Sequence, residues 1–293
     1  MLITPDCIPC VLRMAISSIR KFTDNEDLVK ELIIKILKIP ALRGLEWDLH
    51  SPEVVEPFMN IIMEAFHTDD PFRTLKKEQN AKALKLYPTL KQLVNQSEDP
   101  LFAAVNLAIL GNSVDLMISD HSIDVQKVLE RELRNPILEN PFPVFREALN
   151  KARLLLYLGD NCGEIVFDKL LIETIKDLYN LQIFFVVRGC PTLNDVTMEE
   201  AREVGMDRVA TVISNGIEQP LPGTILSRCS SQLRDLFENS DLTVSKGGGN
   251  FDTLEEEKDN CKNITFMLLA KCRPYSEYFK VPMDQPIMGN FFE

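Results

Sequence analysis

The sequence predicts an α/β protein in which an all-helical first half precedes a parallel sheet covered by helices on both faces. Two observations carry that prediction. Up to about residue 150 the apolar residues recur at helical spacing, and Val, Ile and Tyr runs bounded by Gly are missing. Beyond it, short continuous apolar runs alternate with helical patterns, as strands of a doubly covered parallel sheet do. No repeat or low-complexity linker separates the halves, so the change near 145–150 reads as a packed junction between residues 1–147 and 148–293.

In the first half, the segment 51–66 offers Ser51 as N-cap and Pro52 at the first helical position. Asp70-Pro71 opens a second helical segment, and PLFAAVNLAIL at 100–110 is apolar enough for a buried helix. A further amphipathic helix is expected at 123–133. In the second half, strands are expected at 153–158, 182–187, 208–213, 241–245 and 264–269. Helical patterns at 164–179, 196–204 and 224–238 separate most of them.

Composition narrows the function. With 45% hydrophobic and 26% charged residues over 293 positions, the chain is ordinary for a globular protein and not disordered. A net charge of −12 argues against a general nucleic-acid binder, which needs a basic surface, but leaves room for a small phosphate ligand held by local cations. No apolar run approaches the roughly 18–20 residues that span a bilayer, and MLITPDCIPC lacks the regions of a signal peptide. Seven scattered cysteines do not resemble a secreted disulfide framework, so a cytoplasmic protein with reduced thiols and no membrane partner is expected. Nothing indicates the oligomeric state.

In open parallel sheets, ligands bind beyond the carboxyl ends of the strands. The first strand ends in Gly159-Asp160-Asn161-Cys162-Gly163-Glu164, the second in Arg188 through Asp195, and a later one in Ser245-Lys246-Gly247-Gly248-Gly249-Asn250. Asp160, Asn161 and Asp195 form a hard-oxygen set suited to Mg²⁺ or Mn²⁺ rather than zinc. Arg188 and Lys246 could neutralise phosphate oxygens, and the Gly247-Gly248-Gly249 backbone could approach a ligand closely. Glu164 and Asp168, one helical turn apart, share a face, and either could position water or a hydroxyl. Blander readings exist for each: Asp160-Asn161 as an N-cap after a tight turn, Asp195 as a cap, Lys246 and its glycines as a plain loop. Their shared sheet edge favours a site.

Cys7-Ile8-Pro9-Cys10 has no second CxxC or histidine cluster to complete a zinc site, and its cysteines are expected not to be catalytic. His50, His67 and His121 lie far apart. Gly111-Asn112-Ser113-Val114-Asp115 is either a C-cap loop or a pocket wall, with Asn112 a candidate substrate contact.

Taken together, DCIPC, GNSVD, GDNCGEIVFD, RGCPTLNDVT and SKGGGNF resemble the metal-dependent damage-control phosphatases, long catalogued as a domain of unknown function. The N-terminal CxxC is similar to the mainly archaeal and bacterial branch. The resemblance implies a helical part joined to a Rossmann-like α/β/α part. It also implies a divalent ion (Mn²⁺, Mg²⁺, Co²⁺ or Ni²⁺) at Asp160, Asn161 and Asp195, and hydrolysis of small phosphorylated metabolites such as sugar phosphates or phosphopantetheine-type compounds. Lys246, Asn250, Arg188 and Glu164 match positions around the phosphate.

A nucleotide- or cofactor-binding protein such as a methyltransferase is the main rival. It is disfavoured by the missing G-x-G-x-x-G fingerprint and by Arg188-Gly189 where ribose binding wants an acid. A non-catalytic interaction protein is favoured only by the acidic charge.

Overall fold

The computed structural model describes residues 1–111 and 140–292. Asn112 and the helix expected at 123–133 lie outside the described residues. Three N-terminal helices, α1 (Cys7–Ile19), α2 (Glu26–Ile36) and α3 (Ser51–Phe66), enclose a small core built around Val11, Ala15, Leu32 and Phe58. Asn25 caps α2 by accepting from the Asp27 and Leu28 amides, satisfying donors that the helix itself cannot. The cap of α3 differs from expectation. His50 is the N-cap, its amide donating 2.8 Å to the Glu53 carboxylate, so Ser51 is already helical and its hydroxyl serves elsewhere.

Helices α4 (Arg73–Gln96) and α5 (Pro100–Leu110) follow, α5 capped by Asp99, whose carboxylate accepts from the Phe102 amide at 3.1 Å. Next come α6 (Pro141–Lys151), β1 (Leu154–Leu158), α7 (Glu164–Leu178), β2 (Gln182–Val187), α8 (Met198–Glu203) and β3 (Thr211–Ser214). The chain ends with α9 (Ser231–Asn239), β4 (Leu242–Lys246), α10 (Gly248–Leu254), β5 (Asn263–Leu269), α11 (Arg273–Phe279) and β6 (Pro286–Phe292).

The sheet order is β3-β2-β1-β4-β5-β6, with the first five strands parallel. The sixth strand, not expected from the sequence, pairs antiparallel with β5 at the edge. Alternation along β1 divides the core in two. Leu155 and Tyr157 face a layer that includes α4, α5, α6 and α7, while Leu156 and Leu158 face α9, α10 and α11. Helices α4 and α5 precede the expected junction at 147/148, yet they pack in the sheet's own core. Two elements are shorter than expected: Met206–Arg208 form a 3₁₀ turn before β3, and Leu226–Arg228 form another before α9.

From β1 the chain builds outward through β2 and β3, then returns to place β4 on the other side of β1. That reversal opens a crevice at the carboxyl ends of β1 and β4, the usual place for a ligand in such sheets. No helix among the described residues is long and apolar enough to cross a membrane.

Candidate active site

At the end of β1 the backbone runs so close to β2 that a Cβ on Gly159 would sit 2.5 Å from the Phe185 ring. Asp160 and Asn161 follow, and Gly163, at φ +79°, turns the chain into α7. Residues 160–162 lie beside 194–196: the Val196 amide donates to the Asp160 carbonyl at 2.9 Å, and the Cys162 amide to the Asn194 carbonyl at 2.8 Å. This pairing brings Asp160, Asn161 and Asp195 to one cavity of about 290 Å³. Helix α4 braces both turns from behind. Asn80 Oδ1 accepts from the Gly163 amide at 2.7 Å, Gln79 Oε1 accepts from Asn194 Nδ2 at 3.2 Å, and buried Lys76 pairs with Asp70 and Glu200.

Arg188 lies buried between the two carboxylates. Its Nε donates to Asp195 Oδ2 at 2.6 Å and its Nη2 to Asp160 Oδ1 at 3.2 Å. The remaining Nη1 donates to Asn250 Oδ1 at 2.7 Å. Asn161 Nδ2 donates to Asp160 Oδ2 at 2.6 Å and more weakly to Glu164 Oε2 at 3.3 Å. Burial pushes Asp160 up to about 8, with the charges of Asp195 and Glu164 adding to it and those of Arg188 and Lys271 opposing. Burial raises Asp195 too, against the pull of Arg188. One guanidinium therefore serves two buried carboxylates that each resist ionising. An added cation would relieve that excess, so this oxygen set fits a hard divalent ion.

Lys246 is the last residue of β4 rather than the first of a loop, and it is buried. Its Nζ donates to Glu164 Oε1 and Asp168 Oδ1, both at 2.6 Å, and to the Ala108 carbonyl at 2.8 Å. Tyr157 Oη donates to the same Asp168 oxygen at 2.6 Å. Burial disfavours the ammonium, but Asp168 and Glu164 outweigh it and hold Lys246 above its ordinary range. Asp168 is pushed up to about 6 by burial, with Lys246 opposing. Neither Lys246, Glu164 nor Arg188 is part of the cavity wall; each stands behind it.

Asn250 stands there too, its Nδ2 donating to the carbonyls of Gly159 at 3.0 Å and Lys246 at 2.9 Å. At Gly247 the close approach expected for a ligand is used by the protein: at φ +78°, a Cβ would fall 1.9 Å from Asp160 Oδ2. Gly248 does line the cavity.

Several cavity residues escaped the sequence reading. Asp252 accepts from Ser51 Oγ and from Tyr275 Oη, and burial pushes it up to about 6. Cys7 and Cys10 reach the same cavity as Cys272, and all are free thiols. Among the described residues no group of three or more His, Cys, Asp or Glu side chains is arranged to hold a metal; the oxygen set above comprises two carboxylates and an amide. Lys271, just past the end of β5, was findable by the same strand-end rule that selected Lys246. For Ser51, Asp252 and Tyr275 no local signal exists, because three distant segments bring them together.

The chain is 31% identical to a damage-control phosphatase of Archaeoglobus fulgidus, over 94% of each chain. It is 30% identical to an uncharacterized protein of Methanocaldococcus jannaschii, over 98% of this chain and 94% of that one. A crystal structure of a DUF89 family protein from Pyrococcus horikoshii superposes with a TM-score of 0.85 at 26% identity, over 98% of both chains. The profile described as the damage-control phosphatase ARMT1-like domain matches residues 3–287, nearly the full length. That span takes in the whole crevice of β1 and β4, and the chain belongs to the ARMT1-like damage-control phosphatase family.

Proposed function

We propose that this chain is a cytoplasmic, divalent-metal-dependent phosphatase that hydrolyses phosphate monoesters of small metabolites, such as sugar phosphates or phosphopantetheine-like compounds. Family membership supports the phosphatase part of that reading. The metal part rests on one observation: Asp160, Asn161 and Asp195 converge on a single cavity with a buried excess of negative charge. These three residues would hold the ion, and Mg²⁺ or Mn²⁺ suits their hard oxygens. Bound there, it would supply Lewis acidity toward a phosphoryl oxygen.

The protein's own residues prepare the site. Arg188, bonded to both carboxylates, favours their ionised forms and fixes their orientation before any ligand arrives. Glu164 joins the Asn161 amide to Lys246, tying the turn after β1 to the end of β4. Gly248 leaves its part of the wall without a side chain, so a small ester can come close.

Orthophosphate release from a panel of monoesters tests the proposal, in added Mn²⁺ and after chelation, for the wild type, Asp160→Ala and Asp195→Ala. Turnover should require the ion and vanish in both variants while their circular dichroism stays native. Equal rates after chelation would overturn the metal assignment; no release from any ester would overturn the phosphatase.

A further inference from the structure

One corner of the cavity takes no part in the chemistry described so far. There Asp252 lies buried on α10, and both oxygens of its carboxylate accept from hydroxyls: Oδ2 from Ser51 Oγ, and Oδ1 from Tyr275 Oη at 3.0 Å. All three residues line the cavity. Two consecutive glycines join this corner to the residues expected to hold the metal. A Cβ on Gly247 would fall 1.9 Å from Asp160 Oδ2, and one on Gly248 would fall 2.5 Å from Tyr275 Oη.

Hydrogen-bond direction and charge decide what such a corner accepts. Ser51 and Tyr275 direct their hydrogens at Asp252, so each has only lone pairs left for another partner. Asp252, with its carboxyl raised to about 6, is mostly ionised at neutral pH, and a carboxylate only accepts. Together the three groups offer acceptors and no donor. Among the described residues no lysine or arginine forms a salt bridge with Asp252; the Met1 amino group and His50 act on its charge from nearby. That amino group donates to the Asp252 carbonyl rather than to its carboxylate, and burial lowers its own pKa. Asp6 brings a further carboxylate to the same cavity.

We propose that Asp252, with Ser51 and Tyr275, is the specificity determinant for the organic part of the substrate. It takes monoesters whose carbon chain presents a hydrogen-bond donor, a hydroxyl or an ammonium, and turns away those that carry a second anion. This rests on the phosphatase reading and deepens it from phosphate monoesters at large to a class defined by the leaving group.

Non-hydrolysable phosphonates test the corner without turnover. The aminopropyl, hydroxypropyl, propyl and carboxyethyl phosphonates have matching chains that end in ammonium, hydroxyl, methyl and carboxylate. Each is titrated calorimetrically into the Mn²⁺-loaded wild type, Asp252→Asn and Tyr275→Phe. Alongside, kcat and KM are measured for the corresponding aminoethyl, hydroxyethyl, ethyl and carboxymethyl phosphates. In the wild type, a donor-bearing probe should bind about tenfold or more tighter than the propyl one, and the carboxyethyl probe weaker still. Whichever donor binds tighter identifies the group that the corner serves. Asp252→Asn puts a donor where a carboxylate oxygen stood, so the ratio of aminopropyl to carboxyethyl affinity should fall about tenfold or more. In the esters that change should appear in KM, as loss of ground-state binding does. A merely structural aspartate would shift all four probes together and leave the ratio alone. Tyr275→Phe should weaken the donor-bearing probes while the carboxylate stays rejected, because Asp252 keeps its charge. Equal binding of the four probes by the wild type, or an unchanged ratio in Asp252→Asn, would overturn the assignment. So would a wild type that binds none of them. The expected order with no ester hydrolysed would leave the corner standing and sink the phosphatase instead.

Discussion

Replacing Gly247 by Ala is the most incisive single test of how the site is built. Gly247 has φ +78° and ψ 167°, a backbone region essentially reserved for glycine. Holding alanine there costs about 1–3 kcal/mol. The new Cβ would also stand 1.9 Å from Asp160 Oδ2 and 2.2 Å from its Cγ. That carboxylate is buried and held by Arg188 and Asn161, so it can yield only by giving up those bonds. Breaking a buried ion pair costs about 3–5 kcal/mol, and even a partial break brings the total to about 4 kcal/mol. Such a loss is a large share of the 5–15 kcal/mol that ordinary domains possess. Urea unfolding followed by circular dichroism should show a much lower midpoint at an unchanged slope. Mn²⁺ titration should show affinity reduced by about tenfold or more, since Asp160 has been displaced. Gly248→Ala is the comparison: it is helical, its φ is ordinary, and its Cβ would meet the Tyr275 side chain (Oη at 2.5 Å, ring carbons at 2.9 and 3.0 Å) rather than a metal-site carboxylate, so it should leave Mn²⁺ affinity at the wild-type value. Its cost should be nearer 1–2 kcal/mol. A Gly247→Ala protein with the wild-type midpoint and metal affinity would refute the claim that this glycine makes room for Asp160.

Two further outcomes are expected. Lys246→Met leaves Glu164 and Asp168 buried beside each other without their cation, so it should destabilise the fold by about 3–5 kcal/mol; adding Asp168→Asn should recover part of that in urea unfolding, and an unshifted midpoint in the single variant would count against the buried cluster. Asp252, raised by burial from its ordinary 3.8 to about 6, binds its proton more tightly folded than unfolded. Its contribution to stability is therefore full below about pH 3.8 and is lost as pH rises through about 6. Asp252→Asn removes that titration, so the stability gap between variant and wild type should shift in the variant's favour by about 2 kcal/mol from pH 4 to pH 7. Parallel pH profiles for the two proteins would contradict the raised value.

Much of this was legible along the chain, and the reasons for the rest are physical. The runs LLLYL and QIFFVV mark β1 and β2 because strands buried on both faces need no polar alternation. The strand-end rule then brought Asp160, Asn161 and Asp195 to one cavity. Lys246 reads as a loop residue only if the strand is stopped one position early. Counting by twos from Leu242 and Val244 places it on the face toward α5 and α7, where Glu164 and Asp168 wait. Strand β6 was missed because PIMGNFF, with a proline and a glycine, carries little strand signal, and its pairing with β5 is a tertiary event. Gln79 and Asn80 are equally silent in sequence. They are two polar positions on a long helix, and only the fold shows that they meet the turns at Gly163 and Asn194.

That bracing has a consequence for how the protein is made. Asn80 and Gly163 are separated by 83 residues. At a synthesis rate of about 5–20 residues per second, the later partner follows the earlier one by about 4–17 s. For most of that interval α4 is complete while the face that will meet α7 has no partner yet, and Lys76 still lacks Glu200. A nascent chain arrested short of residue 163 would hold those groups against water or against a chaperone, and synthesis of the second half is what releases them into the fold.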